Sequence, residues 1–106
     1  MFKVLLAAFI FVATPAIAFA NHATNAKDAF QEVSEGMMHH MSAPLTGDAD
    51  KDFVMMMIPH HQGAIDMANI ELKYGKDETL RAMAKAIVDA QEKEIKEMKD
   101  WQAGHP

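Results

Sequence analysis

Apolar side chains recur every three or four residues over three segments of the chain, and this period predicts three α-helices. The predicted helices cover residues 26–42, 49–74 and 78–102, and Pro44 and Gly75 interrupt the chain between them. No segment alternates apolar and polar residues as a half-buried β-strand does. The pattern therefore predicts an all-α fold, a small antiparallel helical bundle.

The first and third predicted helices each carry one apolar face. On the first, that face consists of Ala26, Phe30, Val33, Met37 and Met41. On the third, a 4-3 spacing typical of a helix-packing seam connects Leu80, Ala84, Ile87, Gln91, Glu94, Met98 and Trp101. Buried polar groups need hydrogen-bond partners, so Gln91 and Glu94 are expected either to orient an imidazole on a facing helix or to bond each other across helices.

The second predicted helix contains Pro59. Proline has no N–H and its ring crowds the carbonyl four residues earlier, so a kink is expected, with the carbonyl of Met55 left free. This free acceptor would lie beside His60 and His61.

Residues 1–20 have the features of an export signal. Lys3 gives a positive start, residues 4–13 are apolar, and small residues at Ala18 and Ala20 predict cleavage after Ala20. The apolar run is shorter than the roughly 20 residues of a membrane span, and no basic cluster follows it. The prediction is an exported or periplasmic domain, residues 21–106, with no membrane span after cleavage.

The amino-acid composition limits which ligands this protein is expected to bind. With 10 basic and 15 acidic residues, the chain lacks the positive surface expected of a nucleic-acid-binding protein. It has no cysteine, so its stability must come from helix packing, from pairing of chains or from a bound metal. Ten methionines without a thiol suit a soft metal outside the cell, where thiols are readily oxidised.

Methionine and histidine occur together on the second helix. With 100° per residue, Met56, His60 and Met67 lie within about 40° of one another and form the predicted inward face. Met57 and His61 lie at its edge, and Met55 points away. Thioether sulfur selects Cu(I) and imidazole accepts copper in either oxidation state, so this mixture predicts a copper site.

A single helix does not easily direct His60 and His61 at one ion, because they are about 100° apart. A second helix or a second chain would have to complete the site. The first helix offers the same donor types in the run Met37, Met38, His39, His40 and Met41.

Other interpretations of these residues stay open. Methionine at helical spacing is usually core filler, and histidines are often pH-responsive surface groups. Catalytic motifs are missing: there is no Glu-x-x-His, no HExxH and no Gly-rich phosphate loop. The chain is therefore not predicted to be an enzyme.

The segment from Asp52 to Ala68, DFVMMMIPHHQGAIDMA, resembles the signature of the domain of unknown function 305 family, and the third-helix seam is similar as well. The resemblance implies a ferritin-like helical bundle and places the chain beside exported copper-binding proteins that support copper tolerance. The ligands it implies are Met57, His60, His61 and Met67, with the 37–41 run as a further site. Family members commonly have four or more helices, so this chain is either a minimal three-helix domain or half of a homodimer.

These observations predict an exported protein that buffers, sequesters or delivers copper, with Cu(I) expected over Cu(II). Its partners would be copper ions, a copper transporter or chaperone, and a second copy of itself. The alternative is a helical interaction or stress-response module in which methionine and histidine only pack.

Overall fold

The computed structural model describes residues 25–106, which form three helices: α1 (Ala26–Met41), α2 (Ala49–Tyr74) and α3 (Glu78–Ala103). There is no strand in this part of the chain, and the prediction of a small all-α bundle is confirmed. Between residues 25 and 106 no helix is long and apolar enough to cross a membrane. The predicted export signal, residues 1–20, lies outside the described residues.

Each helix begins at a side chain that caps it. The carboxamide oxygen of Asn25 accepts a hydrogen bond from the backbone N–H of Asp28 at 2.9 Å. Asp48 and Asp77 do the same at the starts of α2 and α3, at 3.0 and 2.9 Å. A cap of this kind stabilises a helix by about 1 kcal/mol, which explains why local sequence determines where the three helices start.

α2 is the central helix, with α1 packed on one side and α3 on the other, and α1 and α3 do not pack on each other. The buried residues of α2 accordingly form two stripes on roughly opposite sides. One stripe faces α3 and comprises Val54, His61, Ile65 and Ala68, and the other faces α1 and comprises Gly63 and Ile70. α2 is continuous through Pro59.

The α1–α2 loop folds around the carboxylate of Asp52. Its oxygens accept hydrogen bonds from the N–H and hydroxyl of Thr46, both at 2.8 Å, and from the N–H of Gly47 at 2.9 Å. Gly47 has φ of 89°, a left-handed conformation that favours glycine. The bond from the Thr46 N–H is the main reason that the pKa of Asp52 lies below its ordinary value.

The α2–α3 turn is held by Arg81 of α3. Its guanidinium donates to the carbonyl oxygens of Leu72 at 2.6 Å and Gly75 at 3.1 Å, at the end of α2. These carbonyls have no helical partner of their own, and a cation is favoured at a helix C-terminus. The contact fixes the antiparallel register of α2 and α3, which positions the side chains described next.

Candidate metal centre

His61 and Glu94 form the one polar contact that crosses the middle of the α2–α3 interface in the described structure. The ring nitrogen Nε2 of His61 donates to Oε2 of Glu94. His61 is 7% exposed, whereas the side chain of Glu94 is 53% exposed at the interface edge. Glu94 thus meets an imidazole on a facing helix, which is one of the two alternatives that the sequence left open.

The other ring nitrogen of His61 is buried and has no hydrogen-bond partner, and the same is true of Oε1 of Gln91. When Nε2 carries the proton and donates to a carboxylate, Nδ1 presents a lone pair. A buried polar atom left without a partner costs about 1–3 kcal/mol, and such atoms are uncommon in native proteins. The lone pair of Nδ1 is therefore available to a ligand.

Two thioethers lie one helical turn from this pair. Met57 precedes His61 by four residues on α2, and Met98 follows Glu94 by four residues on α3. Because the helices are antiparallel, the register that pairs His61 with Glu94 places Met57 and Met98 at the same level. Both residues are half-buried. Imidazole nitrogen and thioether sulfur thus occur together at the α2–α3 interface.

The prediction that Met56, His60 and Met67 form the inward face of α2 is wrong. His60 is exposed, Met67 is 39% exposed and Met56 is half-buried, whereas His61, predicted at the edge, is buried. The reason is that α2 has a neighbour on each of two opposite sides. The stripe through Met56, His60 and Met67 lies between those sides, about 50° from the side that faces α1 and about 130° from the side that faces α3.

Residues 37–41 of α1 contact a different part of α2. Met37 and His40 line a groove of about 550 Å³ together with Met55 and Pro59 of α2. Met37 is also packed on Gly63, where an added Cβ would lie 2.5 Å from its sulfur. The prediction that Met55 points away is therefore wrong. Its spacing of four residues from Pro59 places both on one helix face, a signal present in the sequence.

The other members of the 37–41 run lie nearer the surface. Met38 is 69% exposed, His39 is exposed, and Met41 is half-buried. His39 lies edge-to-face on His40, with 5.6 Å between ring centroids. His40 donates from Nδ1 to the carbonyl oxygen of Gly36 at 2.6 Å, which leaves Nε2 as its free nitrogen.

The structure thus separates the candidate donors into three places. His61 and Met57 face α3; Met37, His40 and Met55 share the groove; and Met56, His60 and Met67 lie on the outer side of α2. Within residues 25–106 no three His, Asp or Glu side chains form a group that could hold a metal ion.

The chain matches the model of one protein family. The family model described as domain of unknown function (DUF305) matches residues 13–102, and the chain belongs to this family. The resemblance inferred from the segment around Pro59 is thereby confirmed. No curated protein matches the chain.

Proposed function

We propose that this member of the DUF305 family is an exported copper-binding protein that buffers, sequesters or delivers copper as Cu(I). The observation that carries the proposal is the buried Nδ1 of His61, which has no hydrogen-bond partner although Glu94 holds the other nitrogen of the same ring. Histidines that bind metals commonly donate their second nitrogen to a carboxylate in this way.

The donors near His61 fit Cu(I) by their chemistry. Met57 supplies a thioether one turn before His61 on the same helix, and Met98 supplies another at the same level on α3. Soft sulfur selects Cu(I), and imidazole completes a mixed donor set of a kind that hard ions such as Mg²⁺ and Ca²⁺ do not favour. In this arrangement Glu94 fixes the ring and its tautomer, and Met57 and His61 bind the metal.

The groove between α1 and α2 offers a second place for copper. Met37, His40 and Met55 contribute two sulfurs and an imidazole, and the carbonyl of Met55 has no amide partner four residues later because that position is Pro59. The groove is open to solvent at His40, so an ion held there would be accessible to a transporter or chaperone.

A Cu(I) competition titration against a chromogenic chelator tests the proposal. His61→Ala should weaken Cu(I) binding at the tightest site by about tenfold or more, since it removes a ligand. His105→Ala is the control, because it removes an exposed imidazole that lies outside all the proposed donor groups and should leave the Cu(I) affinity unchanged. Equal affinities for wild type and His61→Ala would contradict the proposal.

The alternative, an interaction module without metal, is favoured by the exposed apolar side chains of Phe53, Leu80 and Met83, which are 60%, 50% and 54% exposed. Thermal melting separates the two functions. A ligand that binds only the native state must raise its stability, so Cu(I) should raise the Tm under the copper-binding proposal and leave it unchanged under the alternative.

A further inference from the structure

The side of α2 that faces neither α1 nor α3 carries a mainly apolar stripe, in which His60 and Glu71 are the polar members. Its members follow a 4-3-4-4-3-4-3 spacing, and we call them the outer stripe: Ala49, Phe53, Met56, His60, Ala64, Met67, Glu71 and Tyr74. Such spacing is typical of a helix face that packs on another helix. Within the described structure no helix covers it, and Phe53 is 60% exposed.

α3 widens this apolar surface. Leu80 and Met83 are 50% and 54% exposed. By helical geometry they lie on the side of α3 away from Lys99, which lines the groove, and hence on the same side of the molecule as the outer stripe. The molecule therefore has a groove on one side and an apolar surface across two helices on the other.

We propose that a second copy of this chain packs on the outer stripe, antiparallel and with its two-fold axis at His60. A two-fold rotation about this axis places the outer stripe of one copy against the same stripe of the other. An isologous interface requires such self-complementarity. Phe53 then lies opposite Met67 of the second copy, and the long side chain of Met56 lies opposite the small Ala64. Each His60 lies opposite the other at the axis.

The dimensions suit a stable dimer. α2 has 26 residues and is about 39 Å long at 1.5 Å per residue. Two helices packed side by side are about 20 Å wide, so α2 and α3 offer a face of about 700 to 800 Å². A standard interface buries about 800 Å² on each partner.

The pairing also completes a metal site, a step that rests on the proposed function. His60 and Met56 are one turn apart on α2, and the two-fold axis brings the same two side chains from the second copy. Two imidazoles and two thioethers from two helices are a donor set suited to Cu(I). One chain alone supplies only half of it.

Sedimentation equilibrium of the purified protein, with and without Cu(I), tests the pairing. Wild type should be dimeric, and Cu(I) should tighten the dimer. Phe53→Glu, which places a charge on the outer stripe, should be monomeric with unchanged helicity by circular dichroism. The control Leu45→Glu alters a residue of the α1–α2 loop that is 61% exposed and should remain dimeric.

A wild-type protein that is monomeric both with and without Cu(I) would overturn the pairing, as would a dimer that Phe53→Glu leaves intact. For the bridging metal, His60→Ala should raise the dimer Kd in the presence of Cu(I) by at least about tenfold. An equal Kd would overturn the bridge. The effect of His61→Ala on Cu(I) affinity is measured separately, so failure of the copper-binding proposal is distinguishable from failure of the dimer.

Discussion

The imidazole of His61 on α2 donates from Nε2 to the carboxylate of Glu94 on α3, and this bond joins the two helices in the middle of their interface. A purely structural pair at this position would be expected to have both ring nitrogens satisfied, yet Nδ1 has no partner. The pair holds the ring in one orientation and keeps one lone pair available, which is what a metal ligand requires.

Glu94→Gln should weaken Cu(I) binding about 10- to 100-fold while leaving the helices intact, because a neutral amide accepts the Nε2–H bond less strongly than a carboxylate. The measurement is the chelator competition titration, with circular dichroism to check folding. Glu92→Gln, an exposed change on the same helix, is the control. Equal losses in both variants would mean that overall charge, and not the contact with His61, sets the affinity.

Gly63→Ala should destabilise the protein by about 1–3 kcal/mol, since the added methyl would lie 2.5 Å from the sulfur of Met37 and push α1 away from α2. Gly36→Ala is the matched control within α1: its Cβ would meet nothing within 4 Å, and replacing a helical glycine should stabilise by about 0.5–1 kcal/mol. Urea denaturation measures both. Destabilisation by Gly36→Ala as well would show that α1 does not pack as described.

Arg81→Ala should lower the free energy of unfolding by about 1–2 kcal/mol, because the carbonyls of Leu72 and Gly75 lose a charged donor. Arg81→Lys should recover only part of the loss, since an ammonium lacks the planar fork. Lys85→Ala removes an exposed cation one turn later and should change little. If Lys85→Ala were as destabilising as Arg81→Ala, the effect would be one of net charge.

Asp52→Asn should lower the Tm at neutral pH and have a smaller effect in acid. The folded-state pKa of Asp52 lies below its ordinary value of 3.8, chiefly because of the hydrogen bond from the Thr46 N–H. The carboxylate therefore stabilises the fold fully above pH 3.8, and this contribution is lost as the pH falls through the folded-state pKa. The measurement is the Tm difference between wild type and variant as a function of pH.

Asp50→Asn is the control for this pH dependence, because it removes a charge from the same helix turn without touching the α1–α2 loop. A Tm difference for Asp52→Asn that stays constant down to acid pH would contradict the loop contact as its cause.

The bounds of the helices could be predicted because each helix begins at a capping residue that is its neighbour in the sequence. Asp77 caps α3 through its own side chain, and the predicted and observed ranges differ by no more than one residue at any end. The partner of Glu94 was predictable in kind, since most polar groups within a packing seam meet a hydrogen-bond partner, although Oε1 of Gln91 in the same seam has none. The helix bounds and the kind of partner that Glu94 meets could both be predicted, because residue type and spacing along the chain determine these contacts.

The orientation of α2 was not predictable in the same way. A helix with one neighbour has one buried face, but α2 lies between two helices, and sequence periodicity does not say which two sides they occupy. Met56, His60 and Met67 share a face in sequence and in structure, yet that face is the outer stripe. Met55 was missed as a groove residue, although its spacing of four residues from Pro59 places the two on one helix face.

The most direct test of the copper proposal is a long-range ¹H–¹⁵N correlation spectrum of the histidine rings during titration with Cu(I). The proposal predicts that the free protein has His61 protonated at Nε2, and that Cu(I) shifts the Nδ1 resonance of His61 while the Nε2–H bond to Glu94 persists. A His61 Nδ1 resonance that does not change while Cu(I) binds elsewhere in the protein would contradict the assignment of this residue as a ligand.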